Sequence, residues 1–179
     1  MTLKRLGDDE RIGPARPQAP VPWKNLDWQR LWLATQAKPW RSLVLVPATA
    51  EVPDVFSVTI AENLARTGMT HLGTPIRSID ATRVPLADLV DFNSEMERVL
   101  RFGELVLVAV TATANNPVAV ALAQATDAAL LCVVLDMKAK EAERTIDVVG
   151  RSRFIGTLLA DVGDMALLQP DSKSKDKKK

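Results

Sequence analysis

The side chains able to do chemistry are few and scattered. The 179-residue chain holds one cysteine, one histidine and no tyrosine. Cys132 sits inside the apolar run 130–134, where nothing lowers a thiol pKa, and reads as an inert core residue. His71 follows a helix end in a polar turn, with no serine–carboxylate arrangement around it, and reads as a surface residue. One cysteine and one histidine can form neither a zinc cluster nor an internal disulfide, so no metal is expected. Asn115-Asn116-Pro117 follows an apolar run, where it could line a small-ligand site or cap the next helix. Arg41 precedes the first apolar run and has no assignable role. The terminal SKSKDKKK could meet an anionic lipid surface or simply solubilise the chain.

Ligands of doubly wound sheets sit at the carboxyl ends of the strands, so the turn after the first apolar run is where a site belongs. It reads Pro47-Ala48-Thr49-Ala50-Glu51-Val52-Pro53-Asp54-Val55-Phe56-Ser57-Val58-Thr59. A phosphate cradle needs glycines so that backbone N–H groups can surround the oxygens, a lysine to neutralise charge, and a Ser or Thr for magnesium. This turn has no glycine and no lysine, and Glu51 and Asp54 would repel a polyphosphate. An enzyme with a remodelled pocket here would draw on Asp54, Ser57, Asn115 or Asn116. A turn filled by Val55 and Phe56 would oppose that reading.

The elements that position this turn follow from periodicity. Apolar runs at 43–46, 105–110, 129–135 and 154–159 read as strands, with a shorter candidate at 76–79. Helical patterns fall at 54–67 (stopped by Gly68), 86–101, 117–126 (opened by Pro117) and 138–149 (ended by Gly150). Within 86–101, Ser94 and Glu97 match a capping box and suggest a break. Alternation of strand and helix predicts an α/β fold, a Rossmann-like parallel sheet with helices on both faces.

Ahead of the sheet, Asn25 can cap a helix over 24–37 carrying Leu26, Trp28, Leu31, Trp32 and Thr35. Trp23, Trp28, Trp32 and Trp40 are all the tryptophans of the chain. They either cover the sheet or dock a partner, since Trp is enriched at interface hot spots. Residues 1–22 read as a proline-rich disordered arm, 23–168 as one domain, and 169–179 as a basic disordered tail.

Composition bounds the rest. Apolar residues make up 47% and charged ones 25%, with a formal net charge of +1, which argues against a nucleic-acid surface. The N-terminus lacks the apolar run of a signal peptide, and the apolar runs are too short to span a bilayer. A soluble, cytoplasmic chain is expected, with the lysine tail as its means of peripheral contact with the inner membrane.

The stretch from 43 through PDVFSVTIAENLARTG resembles the start of the cytoplasmic domain of bacterial tyrosine kinases of capsule and exopolysaccharide systems, in the ParA/MinD-like branch of P-loop ATPases. Counting back from Asn63-Leu64-Ala65 sets Pro53 on the family's loop proline and Asp54 and Phe56 on its glycines. Ser57 then falls on its lysine, Val58 on its magnesium serine and Thr59 on the following threonine. Val84-Pro85 through Leu89-Val90 to Ser94-Glu95-Met96 resembles the segment before its second motif. Glu104 to Ala109 resembles its Walker B strand, with Ala109 in place of the aspartate. Asp127 to Leu131 and Phe154 to Leu159 resemble its later strands, with Ala160 in place of the asparagine that contacts adenine. Ile79-Asp80-Ala81 is either a remnant of the family's second aspartate motif or a later strand left after a deletion.

The resemblance spans about residues 26–160 and implies loss of the whole catalytic set, since phosphoryl transfer depends on positioning and electrostatics by such groups. The expectation is a pseudo-ATPase without cofactor, acting through protein contacts in exopolysaccharide biosynthesis or export. Its partner would be a membrane polysaccharide co-polymerase or a true kinase, and homodimerisation is plausible because relatives self-associate. A ParA/MinD-like adaptor without a nucleotide switch, and an enzyme with a remodelled pocket, are the alternatives.

Overall fold

The structure is a computed structural model and describes residue 21 and residues 24–161. Most of the arm, Trp23 and the basic tail lie outside the described residues. The elements run α1 (Leu26–Thr35), β1 (Ser42–Pro47), α2 (Asp54–Leu72), β2 (Ile76–Asp80), a 3-10 turn (Leu86–Asp88), α3 (Leu89–Arg101), β3 (Leu105–Ala109), α4 (Pro117–Ala125), β4 (Ala128–Val134), α5 (Ala139–Val149), a second 3-10 turn (Arg151–Arg153) and β5 (Phe154–Ala160). The five strands form one sheet in the order β2-β3-β1-β4-β5, and every neighbouring pair is parallel. This is the Rossmann-like α/β architecture that the alternating runs predict.

The sheet separates two apolar layers. On one face Leu43, Leu45, Leu107, Leu130 and Cys132 meet Trp32, Phe56, Ile60 and Leu64 of α1 and α2. On the other, Val44, Val46, Val106, Val108 and Ala129 meet Met96, Val99, Val118, Leu122 and Val149 of α3, α4 and α5. β1 is buried along its whole length, which is why it reads as an unbroken apolar run. Among the described residues no helix is long and apolar enough to cross a membrane.

Local chemistry sets the helix ends. Asn25 caps α1, its side chain accepting from the Asp27 N–H at 2.7 Å. Asn116 caps α4 through the Val118 N–H at 2.9 Å, with Pro117 in the first turn. At its amino end β1 is tied to β4: the Asp127 carboxylate accepts from the N–H groups of Arg41 (2.8 Å) and Ser42 (2.9 Å), and the Ser42 hydroxyl accepts from the Asp127 N–H at 2.9 Å. Burial alone would raise the Asp127 pKa, but the two backbone donors, the Ser42 side chain and the nearby Arg41 charge outweigh it and hold the carboxyl below its ordinary range.

Two expectations need correction. α2 does not stop at Gly68 but runs on to Leu72, where Gly73 at φ 66° closes it with its N–H on the Met69 carbonyl. Gly68 instead makes room: a Cβ there would overlap the Trp32 ring and lie 2.5 Å from Ile76 Cδ1. Nor is there a helix start at Ser94, since α3 is continuous and the Ser94 hydroxyl donates to the Val90 carbonyl at 3.0 Å. The Ser94–Glu97 pattern falls on the exposed side of the helix, where Glu97 pairs with Arg101 and Glu95 with Arg98.

Gly68→Ala is expected to lower unfolding stability by about 1–3 kcal/mol in urea titrations, because the added methyl must displace an indole and an Ile side chain. Asp127→Asn is expected to destabilise at neutral pH. A native pKa below the unfolded one gives stability that is full above the unfolded value of about 3.9 and is lost as pH falls through the native value. The difference between wild type and Asp127→Asn should therefore close on acidification, in denaturation curves taken across that range.

Candidate functional site

β1 is central, and its helix α2 lies on the opposite face from the α4 and α5 that follow its neighbours β3 and β4. The carboxyl end of β1 is therefore the topological switch point, where open α/β sheets hold their ligands. Here that point is filled. The Ala48 N–H donates to the Cys132 carbonyl at 2.8 Å, continuing the ladder to β4. The Ala48 carbonyl accepts from the Thr145 hydroxyl of α5 at 3.0 Å. Thr49 folds the turn back on itself: its carbonyl accepts from the Val52 N–H and its hydroxyl from the Glu51 N–H. Val52 and Phe56 then turn into the core, Phe56 with only 3% of its surface exposed.

Ser57, where the resemblance expects a lysine, is wholly buried. Its hydroxyl has two carbonyl acceptors, Val110 at 3.1 Å across the crevice and Asp54 at 3.0 Å in its own helix. An ammonium could not replace it without being stripped of water. Val58, half-buried against the core, has no side-chain oxygen to offer a magnesium ion, and the half-buried Thr59 donates its hydroxyl to the Val55 carbonyl of its own helix. Pro53 and Asp54 are exposed at the start of α2. Val55 does not join Phe56 in filling the turn; it faces outward, 49% exposed.

The remaining candidates do not converge. Ala109 is fully buried between Leu45 of β1 and Asp80 of β2. The Asp80 carboxylate accepts from the N–H and hydroxyl of Thr82, closing its own turn. Asn115 is exposed, while Asn116 spends its oxygen on the α4 cap and its amide on the Val84 carbonyl at 3.4 Å. The Ala160 carbonyl accepts from the Leu135 N–H. His71 is exposed, and burial pushes the Cys132 thiol up to about 12. Among the described residues no group of three or more His, Cys, Asp or Glu could hold a metal.

The tryptophans divide. Trp32 is 1% exposed and meets Trp40 edge to face, ring centres 5.9 Å apart and planes at 78°. The Trp40 indole N–H donates to the Thr35 carbonyl at 2.9 Å. Both belong to the core, so neither is available to dock a partner, and Trp28 is partly buried against the same cluster. Trp23 lies outside the described residues.

Charge reinforces the closed crevice. Glu51, Asp54, Asp80 and Asp136 all stand on the carboxyl-end side of the sheet, with Arg83 and Lys138 on the same loops. Helices that return antiparallel to the strands put their positive dipole ends there, and the carboxylates occupy that field before a phosphate could. Thr145 was not legible as part of this region. It reads as one threonine on an amphipathic helix, and nothing local marks its hydroxyl as the tie to Ala48. In comparisons with known proteins, no family model, no curated protein and no solved structure matches this chain.

Phe56→Ala is expected to cost about 3–5 kcal/mol of stability, the penalty of emptying a buried aromatic site, in chemical denaturation. A change under 1 kcal/mol would mean that the turn is not held closed by that ring.

Proposed function

We propose that this chain is a nucleotide-independent scaffold that acts through protein contacts, built on a parallel α/β core whose nucleotide crevice is closed. The observation that supports it is the filled end of β1, with Phe56 and Val52 in the core, the Ser57 hydroxyl on Val110 and carboxylates outside. Among the described residues Asp54, Ser57, Asn115 and Asn116 do not converge at that turn, which favours a scaffold over an enzyme with a remodelled pocket. The place in exopolysaccharide biosynthesis or export, beside a membrane co-polymerase or a true kinase, rests on the resemblance of residues 26–160 to the bacterial tyrosine kinase domain. A static adaptor fits the same features, because a protein without a nucleotide has no ligand-driven difference between two states.

Isothermal titration of the full chain with ATP or ADP, with and without Mg²⁺, is expected to show no binding heat. Micromolar affinity for either nucleotide would overturn the reading. Capture from cells that make an exopolysaccharide is expected to recover a polysaccharide-export membrane protein or its kinase, and recovery of neither would remove the pathway assignment.

A further inference from the structure

The crossover helices cover the two faces of the sheet unequally. α3, α4 and α5 share one face, while α2 alone lies on the other, against β1, β2 and β3. On that second face β4 and β5 lie beyond the strands that α2 covers, and α1 packs there beside α2 and against β5. α1 joins no two strands. It precedes the sheet and connects to it through one link, whose residues 36–39 are exposed. It can therefore leave without any strand changing its neighbours.

The hold on α1 differs in kind from the hold on β1. The side-chain hydrogen bonds of Asn25, Arg30, Thr35 and Trp40 close within residues 25–40. Its seat is apolar: Trp32 is buried, Trp28 and Leu31 are partly buried against the same cluster, and Leu26 and Leu33 stay exposed. The Trp32 ring rests on Gly68, where a Cβ would overlap it. β1, by contrast, is hydrogen-bonded to a strand on each side and tied by Asp127 at one end and Thr145 at the other.

We propose that α1 is a hinged cover, which lifts from the sheet as one unit while the five strands stay assembled. Lifting turns on the 36–39 link and bares the apolar side of β5, where Ile155, Leu158 and Ala160 pack against the Trp32 cluster. Proteins open locally in contiguous units, whose cost runs from near zero at weakly held elements to the global value at core strands. A ten-residue helix seated by one fully buried indole belongs to the low end of that range, and β1 to the high end. The inference stands whether or not the β1 turn binds nucleotide.

Native-state hydrogen exchange of the full chain tests this. Protection factors at Leu31 to Thr35 are expected to be at least ~100-fold lower than at Val44 and Leu45, and to change little in low urea while those of β1 fall. Trp32→Ala removes a contact that the lifted state already lacks, so it destabilises only the seated one. That variant should leave α1 unprotected while amides of β1 and β3 still resist exchange. Equal protection in α1 and β1, falling together with urea, would mean that helix and sheet open only in global unfolding, and overturns the proposal. A Trp32→Ala chain whose β1 and β3 amides exchange freely overturns it equally, because the sheet would then not stand without its cover.

Discussion

β1 is the constraint from which the rest of the molecule follows. It hydrogen-bonds to β3 on one side and β4 on the other, and it is buried on both faces. A strand in that position cannot carry a side chain needing water, so its polar tethers are confined to its ends. At the amino end Asp127 and Ser42 exchange hydrogen bonds. At the carboxyl end Thr145 and Ser57 tie the departing chain to α5 and to the end of β3. The same sheet layout that ordinarily leaves a ligand crevice at this point here closes it, because the turn spends the N–H groups of Ala48, Glu51 and Val52 on the Cys132 carbonyl, the Thr49 hydroxyl and the Thr49 carbonyl, and sends Val52 and Phe56 inward.

The distribution of charge along the strand axis follows from the same layout. Helices running against the strands bring their amino ends to the carboxyl edge of the sheet, and carboxylates near those ends lower the energy of the helices themselves. What would otherwise be an anion-attracting rim is saturated from within. Basic residues such as Arg41, Arg77, Arg151 and Arg153 fall near the opposite edge, where the helices finish. Neither concentration requires a ligand to explain it.

Much of the fold was legible because buried parallel strands read as continuous apolar runs. The strands at 43–46, 105–110 and 129–135 correspond to β1, β3 and β4 within a residue or so at each end, and Asn25, Pro117 and Gly150 mark real helix boundaries. The misreadings share one cause: a local signal was overruled by something distant in sequence. Gly68 looks like a stop, but its lack of a side chain answers to the indole of Trp32. Ser94 and Glu97 have capping spacing but lie on the exposed side of a helix whose other face, Met96 and Val99, is held in the core. The turn after β1 shows plainly what it lacks; Phe56 turns into the core beneath it, whereas Val55 turns outward. What occupies it besides Phe56 is settled by Thr145 and Val110, far along the chain and unremarkable in type.

The edge-to-face indole pair has a spectroscopic corollary. With no tyrosine in the chain, ultraviolet emission comes almost wholly from four tryptophans, and two of them are Trp32 and Trp40, buried against one another. Since both lie where α1 meets the sheet, detachment of that helix would expose them together and shift their emission to the red. The molecule thus carries a built-in optical gauge of whether its first helix is seated, readable without any label.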